Sequence, residues 1–316
     1  MVWSDTAYEL VDTLSDQYYF AGPEWNTQIA KRFILRNKRV HKIVESSYYL
    51  HVKQDGSPVN IAFEPSASFG CPVGCLFCAS GTLFPVRSLT ATEITDQVTG
   101  LINAYKNDFP NITEIREDVF YCGIGEPTLI ADTLIASSRQ ILKDHPHLQF
   151  KMSTMGALPS AFCKFADCDV PLRSIQLGIP HWDEIKIKQL YSRCNNYNFH
   201  NVLSSVQKFV KIRPSTRIKI NYIVMSQYND TAEDLIRTVE KIMSYLGDDF
   251  ELKISCLNPT NYAYENKLTP IAPQELHQLL LAAKAQFNLP KIYTFGPMNH
   301  SKLGCGQLAF NYSETK

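Results

Sequence analysis

Three closely spaced cysteines are the residues of this chain best suited to chemistry. They lie in the segment Cys71-Pro-Val-Gly-Cys75-Leu-Phe-Cys78, which is followed by Ala-Ser-Gly. Glycine and proline within the segment predict a loop rather than a regular strand or helix. Thiolates suit an iron–sulfur cluster or zinc, and three of them leave the fourth position of a tetrahedral centre open. A structural zinc site normally includes a fourth Cys or His nearby, and the adjacent sequence has none.

A second group of candidate residues follows an apolar strand predicted over residues 119–122. In Gly123-Ile-Gly125-Glu126-Pro127, the glycines allow close backbone approach to a ligand, and the carboxylate can accept hydrogen bonds from an ammonium group. An ordinary Gly-Pro turn would explain the same residues. Ser153 and Thr154 end the next predicted strand, where their hydroxyls either reach a ligand or cap a helix. Asn229, after a later strand, has the same two interpretations.

In their order and spacing, these motifs resemble those of radical S-adenosylmethionine (SAM) enzymes, and among them the RlmN/Cfr branch of RNA adenine methyl synthases. The similarity runs from about residue 48 to residue 310 and includes Gly304-Cys305-Gly306 near its end. It implies a [4Fe-4S] cluster on Cys71, Cys75 and Cys78, and reductive cleavage of SAM to a 5′-deoxyadenosyl radical. It also implies that SAM is bound by Phe77, Gly123, Gly125, Glu126, Pro127, Ser153, Thr154, Gln176 and Asn229.

This chain departs from the resembled branch at positions that serve later steps. In that branch one C-terminal cysteine carries a methyl group to the base, and a cysteine seven residues before the cluster loop releases the product. Cys305 matches the first position, but Glu64 occupies the second, and a carboxylate cannot form the releasing disulfide. The branch's histidine-containing segment has no histidine here at residues 176–179, and the stretch over 295–302 is nearly uncharged.

These departures predict that radical initiation is retained while the later chemistry is altered. Cys305 is interpreted as a methylated or radical-carrying thiol, or as a substrate anchor, and the alternative is a buried thiol in a tight turn. Glu64 is interpreted, from its position only, as a general base or a substrate contact.

The elements that position these residues alternate between strand and helix. From residue 59 onward, about six strands are each followed by a helical segment, a pattern that predicts parallel strands with right-handed crossovers. Thr90 to Glu93 has a capping-box pattern before an apolar helical face. The predicted class is α/β, as a partial (β/α)6 barrel, which is also the fold that the resemblance implies. Sites in such barrels lie at the carboxyl ends of the strands.

The chain is predicted to divide into an accessory extension, residues 1–58, and a barrel with its C-terminal cysteine segment, residues 59–316. Apolar residues at helical spacing predict a helix over Thr6 to Tyr18. The basic cluster from Lys31 to Lys42 is interpreted as a solvated helix face, with a partner- or RNA-binding patch as the alternative. Residues 47–63, which contain an Asp-Gly turn, predict a β-hairpin. The extension is thus expected to be helical with one hairpin.

Composition narrows the class of protein. The 316 residues include 31 basic and 31 acidic side chains, so the formal charge is zero. A neutral chain lacks the wide basic field of proteins that grip a nucleic-acid backbone, which weakens an RNA-binding interpretation. Nine cysteines, three of them in the cluster motif, indicate a reducing cytoplasm. Neither a signal peptide nor a membrane span is expected.

These observations favour a radical SAM enzyme that modifies a small molecule or a peptide, with electrons from a flavodoxin- or ferredoxin-like donor. The first alternative is an RNA adenine C-methyltransferase that acts through methylated Cys305, with another thiol such as Cys122 for release. The second alternative is a non-catalytic protein with a structural metal at the three cysteines.

Overall fold

The computed structural model describes residues 2–19 and 27–296, together with Gln307 and Ala309. Its strands are β1 (Tyr8–Tyr19), β2 (Thr27–Asn37), β3 (Ile43–Val52), β4 (Pro58–Glu64), β5 (Ser68–Phe69), β6 (Arg87–Ser88), β7 (Arg116–Tyr121), β8 (Gln149–Thr154), β9 (Leu172–Gly178), β10 (Arg217–Val224), β11 (Glu251–Cys256) and β12 (Lys291–Phe295). Its α-helices are α1 (Ala91–Asp108), α2 (Ala131–Asp144), α3 (Ala161–Asp167), α4 (Glu184–Leu190), α5 (Phe199–Ile212), α6 (Ala232–Leu246), α7 (Asn261–Glu265) and α8 (Pro273–Gln286). Short 3₁₀ helices span Ala79–Thr82 and Pro127–Ile130.

One ten-stranded sheet organises the protein, in the order β1-β2-β3-β4-β7-β8-β9-β10-β11-β12. Neighbours are antiparallel from β1 to β4 and parallel from β4 to β12. Strands β4 and β7 to β11 are the six predicted parallel strands, and β12 adds a seventh that was not predicted. The α/β class with parallel strands is therefore confirmed. The proposed division of the chain after residue 58 falls after the first residue of β4, and it stays a prediction.

Side chains alternate between the two faces of the parallel strands. On β10, Ile218, Ile220 and Tyr222 belong to the hydrophobic core, whereas Lys219 and Asn221 line an internal cavity. This period of two is the geometry of an extended strand, and it gives the curved sheet an apolar outer face and a polar inner face. Residues of both β2 and β12 line the same cavity. The sheet therefore curves around the cavity, and the N-terminal strands form one of its walls.

Helix α1 begins where its sequence predicts. The Thr90 hydroxyl accepts a hydrogen bond from the Glu93 N–H (3.2 Å), and the Glu93 carboxylate accepts one from the Thr90 N–H (2.8 Å). This reciprocal capping box satisfies two donors that the first helical turn leaves unpaired. In the part of the chain that the structure describes, no helix is long and apolar enough to cross a membrane.

The N-terminal helix prediction is wrong. Residues 8–19 form β1, which pairs with β2 along its length. A register shift between Leu10 and Asp12 interrupts the strand alternation, which is why the apolar residues imitate helical spacing. Pairing with a neighbouring strand overrode the local pattern, as tertiary context often does for weak helical signals. The hairpin predicted over residues 47–63 is confirmed by the antiparallel pairing of β3 with β4.

The basic cluster from Lys31 to Lys42 does not form a helix face either. Its first part is in β2, where Lys31 Nζ lies 2.7 Å from a carboxylate oxygen of Asp108. Arg36 Nη1 similarly lies 2.8 Å from Glu9, and Arg32 is buried. The basic side chains of β2 therefore point in different directions: Lys31 joins the strand to α1, and Arg36 joins it to β1.

Candidate active site

One cavity of about 410 Å³ brings together most of the predicted site residues. Its lining includes eleven of them, and these are Cys71, Cys75, Cys78, Phe77, Gly123, Gly125, Glu126, Ser153, Thr154, Gln176 and Glu64. They come from the loop after β5 and from the carboxyl ends of successive parallel strands, where barrel sites are expected.

The cysteine loop is compact and is held by its own backbone. The Cys71 N–H donates to the Ser80 carbonyl (2.9 Å), and the Cys78 N–H donates to the Cys75 carbonyl (3.0 Å). Gly74 has φ +66°, a conformation that favours glycine. The three thiols line one cavity, although no three His, Cys, Asp or Glu side chains of the described residues converge on a single-ion site.

Arg193, in the segment after α4, clamps this loop from outside. Its N–H donates to the Val73 carbonyl (3.1 Å), and its guanidinium donates to the Gly81 carbonyl. The guanidinium carbon lies 5.0 Å from the centre of the Phe84 ring. A methyl group added to Gly74 would lie 2.4 Å from Arg193 Nε. Glycine at this position is favoured by its backbone angle, and it also leaves room for the arginine side chain in its present position.

The surroundings of the Cys71 and Cys75 thiols raise their pKa and favour their neutral form while no metal is bound. Burial raises the pKa of the Cys75 thiol well above its ordinary value, and the neighbouring Cys78 and Cys71 raise it further. A metal centre must therefore displace protons from these thiols when it binds.

Glu126 is a buried carboxylate fixed by four donors. One oxygen accepts hydrogen bonds from the Thr128 N–H (3.1 Å), the Thr128 hydroxyl (2.6 Å) and the Thr154 hydroxyl, and the other accepts from the Met155 N–H (3.2 Å). Burial raises the pKa of Glu126, and these hydrogen bonds oppose the rise. A carboxylate oriented in this way can accept from a cationic group in the cavity.

The two glycines before Glu126 allow two chain segments to approach closely. A methyl group on Gly123 would lie 2.6 Å from the Pro65 carbonyl oxygen, and one on Gly125 would lie 2.5 Å from Ser68 Oγ. The Ser68 N–H also donates to the Ile124 carbonyl (3.1 Å). These contacts join the Gly-Ile-Gly-Glu loop to the strand that leads into the cysteine loop. They explain the glycines by packing, and the predicted SAM contact at these positions stays a prediction.

Ser153 and Gln176 occupy paired positions on neighbouring strands β8 and β9. The Gln176 amide donates to Ser153 Oγ (3.0 Å), and the Gln176 amide oxygen lies 3.5 Å from Lys253 Nζ. A ligand in this part of the cavity would therefore meet a linked hydroxyl, amide and ammonium group.

Two predicted SAM residues lie outside the cavity lining. Pro127 is buried at the first position of the 3₁₀ helix after Glu126. Asn229 is fully buried, and its side-chain amide donates to the Pro180 and Ile223 carbonyls (2.6 and 2.8 Å). Its side-chain oxygen accepts from the Met225 N–H (2.8 Å). Asn229 thus connects the loops after β9 and β10, and the N-cap of α6 is the neighbouring Thr231.

Glu64 ends β4 and faces the cavity from the wall that the N-terminal strands form. It is buried, and one carboxylate oxygen accepts from the Ser47 hydroxyl (3.1 Å). Tyr49 and Arg32 lie beside it, with the guanidinium carbon 5.5 Å from the Tyr49 ring centre. Burial raises the pKa of Tyr49 well above its ordinary value, and Arg32 opposes the rise. This polar wall did not follow from the sequence, because it depends on pairing between β2, β3 and β4.

Cys305 lies outside the described residues, so its predicted role stays a prediction. Two positions near it in sequence are described: Gln307 is buried, and the Ala309 N–H donates to a carboxylate oxygen of Glu45 (3.2 Å). Glu45 Oε1 lies 3.7 Å from Arg32 Nη1, and Arg32 lines the cavity. Ala309 therefore packs beside the wall that contains Arg32.

Sequence reasoning missed three lysines that also line the cavity, although a repeated pattern marks them. Lys151, Lys219 and Lys253 each stand between two apolar residues in the middle of a parallel strand. Each is followed two residues later by a small polar residue that lines the same cavity, namely Ser153, Asn221 and Ser255. Lysine inside an otherwise apolar parallel strand is the signal that could have identified this inner face.

Comparison with known proteins identifies the superfamily of this chain. Residues 66–242 match the radical SAM superfamily, and this match covers more than half of the chain. The chain belongs to that superfamily, and it is an enzyme, which excludes the non-catalytic interpretation. The matched region includes the cysteine loop and the Gly-Ile-Gly-Glu loop.

Within the superfamily, the chain groups with the RlmN-like branch. It is 27% identical over 241 residues to a probable dual-specificity RNA methyltransferase RlmN of Thermosipho melanesiensis, covering 72% of this chain and 67% of that protein. It is 29% identical over 223 residues to the corresponding protein of Thermotoga neapolitana, covering 65% and 61%. The matches thus span about two thirds of these relatives' own length.

Solved structures share the fold. A radical SAM methyltransferase from Sphaerobacter thermophilus superposes with a TM-score of 0.74 at 18% identity, over 96% of this chain and 81% of that one. Spore photoproduct lyase gives a TM-score of 0.53 at 10% identity, over 74% and 76%. At these identities the likeness concerns the fold alone.

The residues present fit an iron–sulfur cluster together with SAM. Three thiols from one loop supply the soft donors that iron–sulfur clusters use. The buried and oriented Glu126 shares their cavity and suits a cationic amine. Family membership and this donor set together support radical SAM chemistry.

Proposed function

We propose that this enzyme holds a [4Fe-4S] cluster on Cys71, Cys75 and Cys78 and cleaves SAM reductively in order to modify a small molecule or a peptide. The observation that carries the proposal is the presence of the three thiols and the fixed carboxylate of Glu126 in one cavity. An external flavodoxin- or ferredoxin-like protein would supply the electron.

When bound, the cluster and SAM supply a 5′-deoxyadenosyl radical, which is chemistry that protein side chains cannot perform. The chain's own residues hold and orient the two cofactors. Glu126 would accept a hydrogen bond from the amino group of SAM, because its four donors fix its oxygens within the cavity. Ser153, Thr154 and Gln176 would contact the rest of SAM. Aromatic side chains around the site, including Phe77, would exclude water from the reaction.

The shape of the cavity favours a small substrate over a folded RNA. Strands β2 and β3 contribute Gln28, Arg32, Tyr49 and His51 to one wall, so the curved sheet surrounds the cavity on this side as well. A volume of about 410 Å³ is in the range of small-molecule sites, about 300–1,000 Å³, and the cluster and SAM would occupy part of it, so the remaining space suits a small group rather than a folded RNA. Glu64 in place of a releasing cysteine supports a reaction that needs no disulfide step.

Anaerobic reconstitution with iron and sulfide, followed by dithionite and SAM, tests this function. We expect 5′-deoxyadenosine from the wild-type protein and none from C71A, C75A or C78A. Cys163→Ala is the matched control, since Cys163 is exposed on α3 outside the cavity lining. Unchanged deoxyadenosine formation by C75A, or zinc in place of iron with no SAM cleavage, would refute the proposal.

RNA adenine methylation through Cys305 is the second candidate function. It is favoured by the similarity to probable RNA methyltransferases of the RlmN type and by the packing of Ala309 beside the cavity wall. Mass spectrometry of the peptide that contains Cys305, after incubation with SAM, distinguishes the two candidates. A methylated Cys305, with RNA methylation that is lost in C305A, would favour the RNA function. Deoxyadenosine with unmodified Cys305 would favour the small-molecule or peptide function.

A further inference from the structure

The wall that β2, β3 and β4 form contains a buried carboxylate besides Glu126. Cross-strand pairing places Arg32, Ser47 and Glu64 in one row, at the carboxyl end of β4. Tyr49 and Ala62 pair in the next row, and both line the cavity. Ala62 has only a methyl side chain, so this part of the wall leaves room for a ligand beside Glu64.

The charge of Glu64 has no partner of opposite sign in the part of the chain that the structure describes. Arg32 pairs with Glu45 at 3.7 Å, and Glu64, although only 7% exposed, belongs to none of the ion pairs there. The Ser47 hydroxyl donates to one of its oxygens (3.1 Å). Tyr49 is a neutral phenol, because burial raises its pKa well above the ordinary value and Glu64 raises it further.

A carboxylate that is removed from water without an opposite charge is energetically costly. Hydroxyl groups beside it offset part of this cost. A cation that enters the cavity would offset more of it, because the attraction between opposite charges is strong where little water is present. Glu64 therefore suits a positively charged group on a ligand.

Glu64 lies beside the proposed SAM site but on a different wall of the cavity. The next residue, Pro65, packs so closely against Gly123 that a methyl group on this glycine would lie 2.6 Å from the Pro65 carbonyl oxygen. Glu126 belongs to the loop that continues from Gly123, and its own four donors orient it. The cavity thus has two buried carboxylates, Glu126 for the amino group of SAM and Glu64 for a second cation.

Gln28 is a second sign that this wall is a ligand surface. It lines the cavity and is buried, and its amide oxygen has no hydrogen-bond partner among the described residues. It lies four residues before Arg32, which is about 13 Å along β2. Buried acceptors are normally paired, so a ligand with an N–H group at this level would satisfy it.

We propose that Glu64 binds a protonated amino group of the substrate, which is a small amine or the lysine side chain of a peptide. This inference rests on the proposed function and specifies its substrate class.

Isothermal titration calorimetry of the full-length reconstituted protein tests the cation site. It is carried out anaerobically, without reductant and with saturating SAM. The amine probes are n-pentylamine and a tripeptide with blocked termini and a central lysine. Their uncharged counterparts are 1-pentanol and the same tripeptide with norleucine.

We expect the wild-type protein to bind at least one amine probe, and to bind its uncharged counterpart at least about tenfold more weakly. Glu64→Gln keeps the shape of the side chain and removes its charge, so it should weaken amine binding at least about tenfold. Tighter binding of pentylamine would indicate a small amine, and tighter binding of the lysine tripeptide would indicate a peptide.

A control variant and a stability measurement separate binding from folding. Glu240→Gln removes an exposed carboxylate from α6 and should bind the amine as the wild type does. Without amine, E64Q should unfold at the same urea concentration as the wild type or a higher one, because an uncompensated buried charge is destabilising. A lower urea midpoint would assign Glu64 to folding and contradict the inference.

Three binding results would also overturn it. These are equal amine affinity in E64Q and the wild type, absence of binding to both amine probes, and binding only when SAM is omitted, which would assign the amine to Glu126. The deoxyadenosine assay is separate. Its failure with amine binding intact would count against the proposed function, whereas loss of amine binding alone would count against the cation site.

Discussion

Asn229 provides a direct test of whether a predicted SAM residue acts through structure. The sequence places it among the cofactor contacts, whereas its fully buried side chain makes three hydrogen bonds to backbone groups outside the cavity lining. Asn229→Ala would leave the Met225 N–H and the Pro180 and Ile223 carbonyls without these partners. At about 1 kcal/mol for each net hydrogen bond, we expect the free energy of unfolding to fall by about 3 kcal/mol.

Urea unfolding monitored by circular dichroism measures this loss. Asn266→Ala is the control, because the Asn266 side chain is half-buried and donates one hydrogen bond to the Tyr262 carbonyl, so we expect a loss of about 1 kcal/mol. Asn229→Asp preserves the shape and the acceptor but places carboxylate oxygen against two carbonyls, and it should be at least as destabilising as the alanine variant.

A different result would refute this reasoning. If N229A unfolds at the same urea concentration as the wild type but binds SAM more weakly in equilibrium dialysis, Asn229 contacts the cofactor directly. The structural account requires the stability loss to appear in the protein without added SAM.

Three further predictions concern the cavity and the cluster loop. Burial lowers the pKa of His51 from 6.5 to about 3, so below pH 6.5 the unfolded chain binds a proton that the folded protein does not. The free energy of unfolding should therefore fall by about 1.5 kcal/mol from pH 6.5 to pH 5. If H51Q showed the same pH dependence of the free energy of unfolding as the wild type, this account would be contradicted. Gly125→Ala would place a methyl group 2.5 Å from a serine hydroxyl, so it should lower the free energy of unfolding by at least about 2 kcal/mol and also lower the iron content of the protein. Gly56→Ala is the control, because Gly56 also has a positive φ but lies in open space, and it should lower the free energy of unfolding by about 1 kcal/mol. Equal losses in the two variants would refute the packing argument. Arg193→Ala should speed the removal of iron by a chelator, measured by the visible absorbance of the cluster, and an unchanged rate would mean that the arginine does not hold the loop.

Local sequence accounted for elements whose signals are contained within a few residues. The capping box at Thr90 and Glu93 started α1 as predicted, because both hydrogen bonds join residues three apart. The strand after the Asp-Gly turn was predicted for the same reason. By contrast, residues 6–18 were predicted to form a helix, but most of them form β1. Strand β1 pairs with β2, a separate segment of the chain, and this pairing is not evident from the local sequence.

The role of Glu64 shows the same division within the site. The resemblance predicted that Glu64 occupies the position of the releasing cysteine, but its contact with the Ser47 hydroxyl and its position beside Tyr49 and Arg32 could not be read from the sequence. These residues meet only because three antiparallel strands pair in one register.

The sequence by itself determined the class of chemistry. Three cysteines and a glycine-rich acidic loop indicated a radical SAM enzyme through residue type and spacing, which are properties of short chain segments, and the family match bears this out. Only the tertiary structure decided the shape and charge of the space beside them. Lys151, Lys219 and Lys253 are about a hundred residues apart at the extremes, yet they line one cavity, because the pairing of the parallel strands turns alternate side chains to the same face.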